Sequence, residues 1–305
     1  MKYLDPKADL TFKKVFSRHP DLLISLLNAL LPLEDDEQIQ QIEYLQPELV
    51  PDLYLHKNSI VDVLCKDVSG RTFCVEMQME WSTAFKQRVL FNASKLYVSQ
   101  AKQTGKYSEL RPVYSLNLVN DVFEPGMTEF IHNYRIVHDK DSDKVIEGLH
   151  FTFIELPKFS PHSISEKRMA VLWLRFLTEI GSDTSAAPAE LLDDPSISKA
   201  LEEVRISAFT DNELLAYDKF WDGVRVEKTL QYDSFQKGLE EGLEEGMQKG
   251  HAEGLEEGMQ KGIEQGIEQR NMEIASKMLA SGMDVNTVME MTGLSKEDIL
   301  RLESQ

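Results

Sequence analysis

Residues 60–80, IVDVLCKDVSGRTFCVEMQME, alternate apolar and polar positions on either side of a turn-forming VSG. A period of two on both arms predicts an amphipathic β-hairpin. The turn suits a three-residue connection closed by a left-handed glycine, which makes Asp67 face Arg71 and Asp62 face Glu76. In that register Val61, Val63, Cys65, Phe73, Val75 and Met77 share an apolar face. Ile60, Asp62, Leu64, Lys66, Thr72, Cys74, Glu76 and Gln78 share the other.

Upstream, DLTFKKVF and PDLLISLLNALL carry apolar residues at helical spacing, with Pro20 near the start of the second run, and IQQIEYL reads as a strand. Downstream, Ser82 is placed to cap a helix running to about Gln103 or Thr104, where Gly105 stops it. RPVYSLNLVND, NYRIVHD and LHFTFIEL are further strands. The order helix, strand, hairpin, helix, strand predicts a mixed α/β sandwich over residues 1–156. Residues 157–234 turn to helical text, including EKRMAVLWLRFL and DNELLAYDKFWDGV, and read as a helical extension.

From Gly238 to Gly266 a glycine falls at every fourth position, followed each time by Leu, Met or Ile except at His251. A period of four overshoots the helical 3.6, so the stripe drifts by roughly 40° per repeat and makes no long coiled-coil seam. Interior glycines also cost a helix about 1 kcal/mol each relative to alanine. Residues 235–270 are therefore expected to form a weak or frayed helical linker, a spacer open to self-association. Residues 271–305 offer short helices with Asp284 and Ser295 as caps, at a spacing that resembles a helix-turn-helix. The last helix, SKEDILRLE, carries three acids against two bases, a poor surface for a DNA groove. Docking or self-association is the expected role of this tail.

Of the 305 residues, 42% are hydrophobic and 28% charged, which suits a soluble chain with an adequate core. No segment reads as a signal peptide or as long enough to span a bilayer, so no membrane partner is expected and the chain is assigned to the cytoplasm. Cys65 and Cys74 fall on opposite hairpin faces and are expected to be free thiols, and the seven histidines lack zinc-site spacing. The net charge of −19 argues against nucleic acid until its distribution is considered. Residues 82–111 hold Lys86, Arg88, Lys95, Lys102, Lys106 and Arg111 against Glu109 alone.

That basic stretch changes the meaning of the facing acids. Directly opposed carboxylates repel, so either the face is open to water or a cation sits between them. Asp62, Glu76 and the backbone carbonyl of Met77 would suit a hard divalent ion such as Mg2+ or Mn2+. On the next helix Arg88, Lys95 and Lys102 recur every seven residues and line one face, with Asn92 and Ser99 between them, while Lys86 adds a further cation. A carboxylate pair beside a basic stripe is a site for a phosphodiester; the same lysines also fit an ordinary solvated helix face.

Asp62, thirteen residues, then Glu76-Met77-Gln78 resembles the D…(D/E)xK core of PD-(D/E)xK nucleases. With DLTFKKVF, LLISLLNALL, GRTFCVEMQ, KQRVLFNASKLY and GKYSELRPVYSLNL in that order, residues 5–125 are similar to the recombination-promoting nuclease (Rpn), or putative-transposase, family. The resemblance implies a restriction-endonuclease-like mixed sheet flanked by helices and Mg2+-dependent DNA cleavage. It also implies that Asp62 and Glu76 are metal ligands and that Gln78 stands where the superfamily motif has lysine. Glutamine carries no charge, so Arg88 is the first candidate to replace that lysine and Lys95 the second. Asp9 and Lys13 on the first helix are further candidates to approach the site. Two functions remain: an endonuclease promoting recombination or mobile-element transfer, for which double-strand cleavage with one site per chain would call for a homodimer or higher homo-oligomer, or a non-catalytic scaffold of nuclease fold assembling through its repeat and C-terminal helices. RNA stays open as a substrate because nothing in the sequence reads a 2′-hydroxyl.

Overall fold

In the computed structural model, which describes residues 3–46, 48–49, 59–101, 105–161 and 168–303, six strands form one mixed sheet. They are β1 (Ile42–Tyr44), β4 (Val63–Asp67), β5 (Thr72–Gln78), β6 (Val113–Val119), β7 (Ile131–His138) and β8 (Asp141–Glu155), in the order β1-β4-β5-β6-β8-β7. Two short strands, β2 (Glu48–Leu49) and β3 (Ser59–Ile60), pair with each other outside it. β5 and β6 are parallel, as are β6 and β8; the other neighbours run antiparallel.

The hairpin register is the expected one. Lys66 faces Thr72, Cys65 faces Phe73 and Val63 faces Val75. Gly70 closes the turn at φ +86°, and the Asp67 carboxylate accepts the Ser69 and Arg71 amides and the Arg71 guanidinium. Both faces of the sheet are covered. On one, α1 (Asp9–Phe16), α2 (Pro20–Leu30), α4 (Arg168–Glu179) and α6 (Pro195–Glu203) bury Phe12, Phe16, Leu26, Trp173, Phe176 and Leu201 against Val63, Cys65, Phe73 and Val75. On the other, α3 (Thr83–Ser99) packs Ala93 and Leu96 on Leu64 and Cys74. Both cysteines are free and buried, and burial pushes each thiol up to about 12.

The chain divides into two units, residues 1–228 and 229–305. The expected core edge at 156/157 separates β8 from helices that share its core, because Leu172, Trp173, Phe176 and Leu201 belong to the same apolar cluster as the sheet. The short α5 (Ala189–Leu192) adds Leu191 to it.

The glycine repeat departs from expectation. Residues 235–270 are not frayed: α7 runs unbroken over Asp211–Ala280, and the expected boundaries at 234/235 and 270/271 fall inside it. Glycine keeps its backbone donor and acceptor, so it lowers helix propensity without removing a ladder bond. The intervening Leu, Met, Glu, Gln and Lys are good helix formers, and the pairs Lys237–Glu241, Glu245–Lys249 and Glu257–Lys261 support it at i,i+4. In the second unit Ala275, Val288 and Ile299 make a small core from the end of α7, α8 (Val285–Thr292) and α9 (Lys296–Glu303). Asp284 caps α8 through the Asn286 and Thr287 amides, Gly293 turns at φ +68°, and Ser295 accepts the Asp298 amide. Among the described residues no helix is long and apolar enough to cross a membrane.

Candidate active site

The expected continuous arm through residues 60–67 is broken at Asp62. Val61 packs with Leu64, Cys74, Ala93 and Leu96 on the α3 side, rather than beside Val63, because the backbone bends between β3 and β4. The bend has a consequence for β5. Asp67 N–H donates to Arg71 O, so alternation makes Val63–Val75 and then Val61–Met77 hydrogen-bonding positions. With the arm bent, Met77 N–H donates instead to Asp62 Oδ2 at 2.7 Å. Asp62 is thereby held against the residue that follows Glu76, one step beyond the Val63–Val75 pair.

Glu76 lies beneath α3, its side chain 7% exposed. Asn92 Nδ2 donates to Glu76 Oε1 at 3.0 Å, and Arg88 Nη2 stands 3.6 Å from Oε2. The same Arg88 nitrogen donates to Gln78 Oε1 at 2.6 Å, and Gln78 Nε2 donates to Glu80 O at 2.7 Å. Gln78 and Arg88 therefore act as a unit, with the charge on the arginine. From α1, Lys13 Nζ bridges Asp9 Oδ1 at 2.6 Å and Asp62 Oδ1 at 3.7 Å.

These contacts do not cancel the cost of burying two acids. Burial pushes the Asp62 carboxyl up to about 6, with help from Asp9 and Glu76 and against the Met77 amide and Lys13. Burial also raises Glu76 above the ordinary carboxylate range, opposed by Asn92 and Arg88. Burial works against the charge on Lys13, but Asp9 and Asp62 outweigh it and hold its pKa above that of an ordinary lysine. Asp62, Glu76 and the Met77 carbonyl, which β geometry puts at the same strand edge, are all oxygen donors, the ligand chemistry that a hard divalent cation takes.

The remaining cations are distributed differently. Lys86 donates to Glu124 Oε1 at 2.7 Å and lies over the rings of Trp81, Phe123 and Tyr134. Its described partners are these, not the carboxylates. Lys95 stands 6.0 Å over the Phe91 ring. Lys102 and the expected helix end at Gln103 or Thr104 lie outside the described residues. Ser82 occupies the cap position of α3 without a side-chain capping bond. Asn92 was assigned no role from the sequence, where it stood between two cations on one helical face; of that face, Asn92 and Arg88 reach Glu76.

A family model described as PD-(D/E)XK nuclease family transposase matches residues 6–222, more than half of the chain. A second, described as Rpn/YhgA-like nuclease family, C-terminal HTH domain, matches residues 268–304. No curated protein and no solved structure matches the chain.

Proposed function

Because this chain belongs to the PD-(D/E)XK nuclease family of transposases, we propose that it is a divalent-metal-dependent DNA endonuclease promoting recombination or mobile-element transfer. The observation that carries this reading is the bend at Asp62, which delivers a carboxylate to the Met77 amide beside buried Glu76. Asp62, Glu76 and the Met77 carbonyl would hold Mg2+ or Mn2+. Bound there, the cation supplies Lewis-acid polarisation of a phosphate and acidifies water.

The chain's own residues supply the rest. Asn92 fixes the rotamer of Glu76 through a hydrogen bond to one oxygen, leaving the other toward Arg88. Arg88, 51% exposed, presents a guanidinium that can meet a phosphate while Gln78 anchors it. Lys13 offsets negative charge at Asp62 and adds a cation on the α1 side. The helix-turn-helix tail supports DNA as the partner, although α9 presents Glu297, Asp298 and Glu303 against Lys296 and Arg301. The glutamine at position 78 favours the competing reading, a nuclease fold retained for assembly.

Supercoiled-plasmid nicking separates the two. Wild type should nick in Mg2+ or Mn2+ and stop in EDTA, and Asp62→Ala should abolish nicking in either metal. Cleavage indifferent to both chelation and the substitution would refute the site; a folded, inactive wild type would favour the scaffold.

A further inference from the structure

The first turns of α7 belong to the nuclease unit and run from the segment before α1 to Glu80, just past the end of β5. Leu214, Tyr217, Phe220, Trp221 and Val224 are the partly or fully buried apolar positions there, recurring at three- and four-residue steps. Leu214, Tyr217 and Trp221 pack on Leu4, Ala8 and Leu10, at the start of the helix that carries Asp9 and Lys13. Tyr217 OH accepts the Asp5 amide, and Lys14 Nζ, from the next turn of α1, donates to Ala208 O just before α7 begins. The helix is fixed at this end.

One more step along the stripe from Leu214, Tyr217, Trp221 and Val224 brings Lys228. Position 228 lies four residues beyond Val224 and so shares the body-facing side of the helix. Its Nζ stands 3.9 Å from Glu80 Oε1. Glu80 is the residue whose carbonyl accepts Gln78 Nε2, and Gln78 in turn holds Arg88 beside Glu76. The stripe thus starts against the helix bearing Lys13 and ends at the exit of the strand bearing Glu76. Between Leu214 and Lys228 the helix advances about 21 Å.

We propose that Lys228 is a phosphate-binding residue of the substrate groove, gripping the nucleic-acid backbone beside the carboxylates without reading sequence. This rests on the nuclease reading above, and it extends the substrate surface past residue 222, where the family match ends. The Lys228 side chain is 74% exposed and its contact with Glu80 is long. Glu80 is only 17% exposed, but at this length the pair holds the ammonium loosely, so Lys228 can turn to a phosphate while Glu80 stays in place. Glu80 keeps the ammonium near the rim when no nucleic acid is bound. Lys13 from α1 meets Asp62 and Arg88 from α3 meets Glu76, while Lys228 adds a cation on a third element that reaches the site through Glu80 and Gln78.

The test is equilibrium binding of the full chain to a fluorescent DNA duplex, followed by anisotropy in EDTA over a range of KCl concentrations. Lys228→Ala should weaken binding about three- to tenfold at low salt, equally for unrelated sequences, and flatten the log–log salt dependence by about 0.9. Lys228→Arg should restore both. Wild-type affinity and slope in Lys228→Ala would overturn the assignment while leaving the nuclease reading intact if wild type still nicks. A loss of affinity with unchanged slope, not rescued by arginine, would also overturn it. A wild type that neither binds nor nicks DNA would remove this proposal together with the reading beneath it.

Discussion

Asp62 shows how much one side chain can concentrate. It accepts a backbone amide that an unbroken strand would have satisfied, faces Lys13, and remains a poorly compensated, half-buried acid. Because its folded pKa lies above the unfolded value, the stability it contributes is present below about pH 4 and is lost as pH rises through about 6. Asp62→Asn keeps an oxygen for the Met77 amide but cannot ionise. In EDTA at pH 8 that variant should be more stable than wild type by about 3 kcal/mol, with the difference shrinking to about 0.5 kcal/mol near pH 4. Thermal melts at the two pH values check it, and equal stabilities at both would contradict it. Asn92→Ala should cost about 1–3 kcal/mol in urea denaturation, because it strips a hydrogen bond from buried Glu76, and should lower nicking in parallel. The hairpin register that brings residue 62 near residues 76 and 77 was legible from alternation and turn chemistry, but the direct opposition of Asp62 and Glu76 gives way to the bend that sets Asp62 against the Met77 amide. The partnerships of Asn92 and Lys13 were not, since they depend on where α3 and α1 come to rest.

At the scale of elements, local rules succeeded where one pattern ruled a whole segment and failed where two competed. The hairpin register followed from VSG and strict alternation, and α1, α2, α3, β6 and β8 lie where apolar spacing put them. The bend at Val61–Asp62 was invisible because nothing in IVDV interrupts the alternation; it arises where β3 leaves to pair with β2. In α7, glycine propensity pointed to fraying, while strong helix formers and i,i+4 ion pairs pointed the other way and prevailed. A Cβ added at Gly246, Gly250, Gly254 or Gly258 meets nothing within 4 Å. Replacing these four with alanine should therefore stabilise the helix by about 0.5–1 kcal/mol per site, read as a higher melting midpoint in the 222 nm circular dichroism signal. A lower midpoint would show that the glycines serve a close contact.

For the molecule as a whole, the nuclease unit closes its own core by residue 228, and the acidic charge is shared between the two units rather than confined to one. A chain ending at residue 234 retains Lys228 and every candidate site residue, so it should fold and keep metal-dependent nicking; a folded truncation without activity would tie catalysis to the tail. Fold class was readable from the order of elements, and the candidate site was proposed from two acids at the end of a hairpin. The shared core of the later helices was not, because a helix's burial partner is not written in its own periodicity. The central claim is that Asp62 and Glu76 jointly hold one divalent cation. Calorimetric titration of Mn2+ into the full chain tests it: wild type should bind one ion, and Asp62→Asn and Glu76→Gln should each weaken that binding by about tenfold or more. A wild type that binds no Mn2+, or variants that bind it as tightly, would contradict the account.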